Sequence, residues 1–128
     1  MPADVLYIDD CQELREIIPE LIRYNLNRTC LSLSGLSQIK EKFSSGHSCK
    51  VVILDIDLGP GQPSGIDIFQ WLQSQGFKGK MFFLTGHGMS HPFSQEAKKL
   101  GIQIFEKPLH SKILLESVRQ GLDLNVAG

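Results

Sequence analysis

The sequence predicts an α/β protein: a doubly wound parallel sheet of five strands flanked by five helices, in one domain over residues 4–122. Three observations carry this. Five short apolar runs alternate strictly with five amphipathic ones along the 128 residues, the order produced when each strand is followed by a crossover helix. One run, KVVILD (50–55), is apolar without alternation, as in a central parallel strand covered on both faces. The length suits about one domain with one ordinary core.

Each element has its own justification. DVLYI (4–8) is a short apolar strand. CQELREIIPELIRYN (11–25) places Leu14, Ile17, Ile18, Leu21 and Ile22 on one helical face, with Pro19 inside it, where a missing donor should kink or loosen the helix. TCLSLS (29–34) reads as a strand and LSQIKEKF (36–43) as a short helix. KVVILD is the third strand. GIDIFQWLQSQG (65–76) is amphipathic through Ile66, Phe69 and Leu72 and stops at Gly76. KMFFLT (80–85) is a second buried strand. PFSQEAKKLG (92–101) is a helix opened by Pro92 and closed by Gly101. IQIFE (102–106) is the last strand and SKILLESVRQGL (111–122) the last helix. Residues 123–128 read as a frayed tail or the start of a linker. Phe69, Phe82 and Phe83 are expected in the core, and Trp71 in the core or half-exposed.

Composition narrows the function classes. The chain is 41% apolar and 21% charged, with thirteen basic residues against fourteen acidic ones. That balance gives no electrostatic footprint for nucleic acid or membrane surface. No apolar run approaches the roughly 20 residues of a membrane span, and no secretory leader is expected. Cys11, Cys30 and Cys49 are odd in number and form no CxxC pair, so reduced thiols and a cytoplasmic location are expected.

In such a sheet, ligands bind beyond the carboxyl ends of the strands. Asp9 and Asp10 follow the first strand, Asp55 ends the third, Thr85 ends the fourth, and Lys107 and Pro108 follow the fifth. Clustered carboxylates repel by roughly 4 kcal/mol per pair at 4 Å in an effective dielectric of about 20. They therefore call for a cation. An all-oxygen set with few ligands suits Mg2+, or Mn2+, with room left for phosphate oxygens. Thr85 can donate to a phosphoryl oxygen, and Lys107 can neutralise its charge. A carboxylate nucleophile, a divalent metal and a lysine together describe phosphoryl transfer onto aspartate. Each part alone is weak, since an Asp pair is commonly a cap and Lys-Pro a turn; the signal is their convergence on one pole.

The chain resembles the receiver domain of bacterial two-component response regulators over residues 4–122. The acid pair Asp9-Asp10, Asp55 after an apolar strand, LTG with Thr85 and EKP with Lys107 carry the resemblance. It implies a flavodoxin-like sheet in the order 2-1-3-4-5. It implies that Asp55 accepts a phosphoryl group from a histidine kinase or histidine phosphotransfer domain. Metal would be bound by Asp10 and Asp55, by Asp9 chiefly through water, and by the main-chain carbonyl of Asp57. Thr85 and Lys107 would grip the phosphoryl oxygens, and the Lys107–Pro108 bond would be cis. Output would pass through the face of the fourth helix, fifth strand and fifth helix, with a phosphorylation-dependent dimer as one form. Such a domain catalyses only its own phosphorylation and dephosphorylation, and contacts neither nucleic acid nor membrane directly.

Three positions depart from the family pattern. The loop LGPGQPSG (58–65) is two residues longer than usual. Asp57 is a fourth acid, expected to point to the mouth of the site. Ile104 stands where an aromatic switch is usual, which implies weaker coupling on the output face, while strand alternation sends Phe105 to the opposite side. Three other readings fit less of the pattern. Haloacid-dehalogenase-type phosphatases share the order ILDID, FFLT, EKP, but their second acid pair follows the lysine, where the only aspartate here is Asp123. A non-phosphorylated docking module would not need the full residue set. A flavodoxin-like nucleotide binder would need a phosphate cradle where this chain has two acids. His87 and His91 are four apart, but GMS and Pro92 leave little helix there for a shared metal; His87, two past Thr85, is expected at the mouth.

Overall fold

A computed structural model describes residues 3–43, 49–107 and 110–127, the last four of these by backbone alone. The elements are β1 (Val5–Ile8), α1 (Gln12–Leu26), β2 (Cys30–Leu33), α2 (Leu36–Lys42), β3 (Val51–Asp55), α3 (Gly65–Ser74), β4 (Lys80–Thr85), α4 (Pro92–Lys99), β5 (Ile104–Glu106) and α5 (Ser111–Ala127). All pairings are parallel, in the order β2-β1-β3-β4-β5. The expected alternation and strand order are therefore present. The helix expected to end at 122 continues through Ala127, in a stretch whose sequence lacks a stop signal.

Strand periodicity sorts the core into two clusters, one per face. Leu6, Ile8, Val52, Leu54, Met81 and Phe83 pack with Ile39, Phe69, Leu72 and Ala97 from α2, α3 and α4. Val5, Tyr7, Val51, Ile53, Phe82 and Leu84 pack with Ile18 and Ile22 of α1 and Leu114, Val118 and Leu122 of α5. β3 is buried at every position, as its unbroken apolar run requires. Phe69, Phe82 and Phe83 are all core. Trp71 lies edge-on to Phe43, with ring centroids 5.8 Å apart. Ile104 packs against the first cluster and Phe105 against the second, the split that alternation dictates.

One expectation for α1 is corrected, the place of Ile17 on its buried face. The helix runs unbroken through Pro19. Proline has no N–H to give the carbonyl four residues back, and that carbonyl, on Arg15, is taken instead by the Ser32 hydroxyl of β2 at 2.7 Å. Ile17 is not on the buried face: it is 45% exposed. The buried stripe is centred on Ile18 and Ile22, and one residue's rotation of about 100° carries Ile17 off it.

The turn from β3 to α3 is pinned at both ends. Gly65 N–H donates to Ile56 O at 2.8 Å, and Ser64 and Asp67 exchange the two hydrogen bonds of a capping box. Between them, Gly59 and Gly61 take φ of 110° and 74°, which favours glycine.

Candidate functional site

The carboxyl ends of β1, β3, β4 and β5 bring together most of the residues expected there. Asp9 follows β1 and still belongs to the ladder, its N–H donating to Leu33 O at 3.1 Å. Asp55 closes β3, in register with Leu84. Lys107 follows β5, and its N–H donates to Thr85 O at 2.8 Å, which fixes where its side chain begins. The Lys107 ammonium donates to Asp9 Oδ2 at 2.8 Å and to Asp55 Oδ2 at 3.1 Å. Asp9, Asp10 and Asp55 each offer a carboxylate oxygen within 4.8 Å of the others. The expected Lys107–Pro108 cis bond lies outside the described residues.

Burial makes this cluster electrostatically tense. Asp9 and Asp55 are 0% and 4% exposed, whereas Asp10 is open to solvent. Burial pushes the Asp55 carboxyl above the usual range, the adjacent Asp9 adds to the rise, and Lys107 only partly opposes it. Asp9 is pushed up by burial too, but donors from Lys107, Tyr7 and the Cys11 N–H outweigh that and leave it below its ordinary value. Asp9 and Asp55 thus titrate together as a pair. Asp10 is raised by burial and by the charge of Asp9. Burial pulls the Lys107 ammonium down, but both acids hold it above its ordinary value.

A cleft of about 370 Å³ opens onto the cluster, lined by Asp10, Asp55, Asp57, Gly59, His87 and Lys107 among others. Asp57 is at the mouth, as expected, but its carboxylate is already engaged. Oδ2 lies 2.9 Å from His87 Nε2, and Oδ1 accepts from Gly59 N–H at 3.1 Å. That pairing holds the Asp57 carboxyl below its usual range. The His87 ring stacks on His91 with centroids 4.0 Å apart. His91 Nδ1 meanwhile accepts from Phe93 N–H at 3.1 Å, capping α4. The two histidines form a stack rather than a chelate.

Thr85 stands apart. It is buried, and its hydroxyl accepts from His87 N–H at 3.0 Å and donates to His87 O at 3.3 Å. The buried Ser94 hydroxyl of α4 lies 3.5 Å away and donates to Gly88 O at 3.1 Å. In this state Thr85 serves the turn over 86–88 and is not part of the cleft lining.

One residue escaped the sequence reading. Tyr7, taken as part of an apolar strand, donates its hydroxyl to Asp9 Oδ2 at 2.5 Å. The signal was available: a buried tyrosine needs a partner for its hydroxyl, and the residue two along a strand shares its face.

Chemically, three acids against one lysine leave excess negative charge in a partly dry pocket, a donor set of oxygens that fits a hard divalent cation. The family model of the response regulator receiver domain matches residues 5–119. The chain is similar to TdiR, a transcriptional regulatory protein of Thauera aromatica, 27% identical over 96% of this chain and 52% of that protein. It is similar to the response regulator protein TodT of Pseudomonas putida, 30% identical over 95% of this chain and 52% of that protein. The chain therefore spans about half the length of these curated relatives. Among solved structures, a receiver domain from Methanospirillum hungatei superimposes with TM-score 0.82 at 18% identity, covering 100% of both chains. One from Clostridium thermocellum gives 0.78 at 24%, covering 98% of both. Because the family match runs from β1 into α5, across every strand that feeds the rim, the chain belongs to the response regulator receiver domains.

Proposed function

We propose that Asp55 accepts a phosphoryl group from the phosphohistidine of a partner kinase or phosphotransfer domain, and that the resulting aspartyl phosphate switches a downstream interaction. The observation that carries this is the Lys107 ammonium shared between Asp9 and Asp55, beside Asp10 and at the floor of an open cleft. Asp10 and Asp55, with the main-chain carbonyl of Asp57, would hold Mg2+ or Mn2+, and Asp9, whose oxygens already accept three donors, would reach it through water. Such an ion, when bound, neutralises charge on the transferring phosphoryl group.

The remaining roles belong to the chain. An Asp55 oxygen attacks phosphorus; the donor's P–N bond breaks, and its electron pair stays on the imidazole nitrogen. Lys107 moves from the acids to a phosphoryl oxygen. The Thr85 hydroxyl leaves the turn over 86–88 to donate to another, and Ser94 of α4 feels that departure. Output is assigned to the face of α4, β5 and α5, where Ile104 replaces a ring, with dimerisation one consequence. The chemistry is confined to the domain's own phosphorylation and dephosphorylation. The reading places it in the cytoplasm, without direct contact to nucleic acid or membrane; no helix among the described residues is long and apolar enough to cross a membrane.

A small phosphodonor with Mg2+ should add one acid-stable, base-labile phosphoryl group, and Asp55→Asn should abolish it. Label retained in Asp55→Asn by intact-mass measurement would sink the assignment. Steady turnover of phosphomonoesters would favour a phosphatase instead.

A further inference from the structure

We propose that Tyr7 is a positioning residue for phosphoryl transfer: its hydroxyl keeps Asp9 satisfied, so that Lys107 is free to leave the acids for the phosphoryl group. The proposal rests on the phosphoacceptor reading above and concerns how that site is set for reaction.

Asp9 is wholly buried. Its Oδ1 accepts from Cys11 N–H at 3.0 Å, and its Oδ2 accepts both from the Tyr7 hydroxyl and from the Lys107 ammonium at 2.8 Å. When Lys107 turns to a phosphoryl oxygen, Asp9 loses its charged donor. A buried carboxylate that loses donors pays a desolvation penalty. With Tyr7 present, one donor remains on the same oxygen.

Tyr7 is built to stay. It is 1% exposed, belongs to the core cluster with Ile18, Leu84 and Leu114, and its hydroxyl has Asp9 as its partner. Lys107 is built to move. It borders the cleft at the acids and also a second cavity of about 410 Å³, whose other walls include Tyr7, Leu14, Ile18 and Leu114. Both donors border that cavity, but Tyr7 is closed to solvent on its core side, whereas Lys107 is 22% exposed and borders the open cleft as well.

Tyr7→Phe keeps the ring and removes the hydroxyl. Lys107 then becomes the only side-chain donor that the described residues give to Asp9 Oδ2, and it is held more tightly there. The expected result is a split. Mg2+ affinity, read by calorimetry, stays within about twofold or tightens, because Asp9 loses a competing donor. The phosphorylation rate constant at saturating Mg2+ falls on the order of tenfold, equivalent to about 1.4 kcal/mol. Adding Tyr7→Phe to Asp9→Asn should change the rate no further, since a neutral side chain there no longer holds the lysine.

A second measurement uses the unmutated chain. With beryllofluoride as phosphoryl mimic, the Lys107 ammonium resonance should shift to a new partner. Ultraviolet resonance Raman bands of Tyr7, separated from those of exposed Tyr24 by Tyr24→Phe, should keep their hydrogen-bond-donor signature. If Tyr7→Phe matches the parent rate, or loses metal affinity and rate in equal proportion, or if Tyr7 gives up its bond when the mimic binds, the proposal is overturned. If the parent accepts no phosphoryl group at all, the phosphoacceptor reading falls and this proposal falls with it.

Discussion

Gly65→Ala tests how closely the first turn of α3 is fitted to the acceptor strand. A Cβ on Gly65 would lie 2.3 Å from Asp55 O, 2.9 Å from Asp55 C and 3.0 Å from Ile56 Cα. All three atoms are backbone, so no rotamer change gives relief. The start of α3 would have to retreat by about 1 Å to reach ordinary van der Waals distance. The Gly65 N–H to Ile56 O bond, now 2.8 Å, would then stretch to about 3.8 Å, beyond hydrogen-bonding range. Overpacking of this kind costs about 1–3 kcal/mol, and the lost bond about 1 kcal/mol more. The gain in helix propensity on replacing glycine offsets up to about 1 kcal/mol. The net destabilisation is about 1–3 kcal/mol, a fall in urea midpoint on the order of 1 M. The retreat also displaces the main chain of Asp55, so phosphorylation should slow even where the variant is fully folded. Gly88→Ala is the control, because nothing lies within 4 Å of its added Cβ, and it should stay within about 0.5 kcal/mol of the parent. Urea unfolding followed by circular dichroism gives the first quantity and acetyl-phosphate labelling the second. A Gly65→Ala protein as stable as the Gly88→Ala one would refute the close-approach reasoning.

Ser32→Ala should orphan the Arg15 carbonyl that Pro19 cannot serve, at a cost of about 1–2 kcal/mol; Pro19→Ala restores the missing N–H, and in that background thermal unfolding should show Ser32→Ala to be nearly neutral, an additive result being the contrary outcome. Burial pushes Cys49 and Cys30 up to about 12, the charge of Cys49 adding to the rise at Cys30, so that at pH 8 roughly one thiol in ten thousand is the reactive thiolate. Timed iodoacetamide labelling should modify half-buried Cys11 first, and equal rates at Cys49 would contradict the packing around it.

The fold and the acid rim were legible because both rest on short-range pattern. Val51 to Leu54 announce a covered strand by four apolar side chains in a row, and the same period that buries them puts Asp55 at the strand's end. Asp9, Asp10 and Lys107 followed from knowing where strands stop. What escaped was pairing across the chain. The Ser32 hydroxyl reaches a carbonyl seventeen residues away, and His87 meets Asp57 thirty residues away; periodicity carries no information about such partners. Ile17 failed for a finer reason, since a helical stripe a residue too wide reads the same in sequence. Thr85 was correctly placed at the end of β4, but which way a hydroxyl turns is decided by the next turn of chain, and here the 86–88 backbone claims it.

The pinned turn after β3 has a consequence for how such a domain diversifies. Its two ends are held by bonds that do not involve the residues between them: Gly65 to Ile56 on one side, the Ser64–Asp67 exchange on the other. The exposed segment from 60 to 63 is thus a cassette on a fixed mount. Added residues there cost little, since even doubling a loop's length adds only about 0.6 kcal/mol of closure entropy. Lengthening or rewriting it alters what an approaching protein meets at the rim, while the acceptor strand and its following helix keep their places. Recognition and chemistry, though neighbours in space, are free to change at different rates.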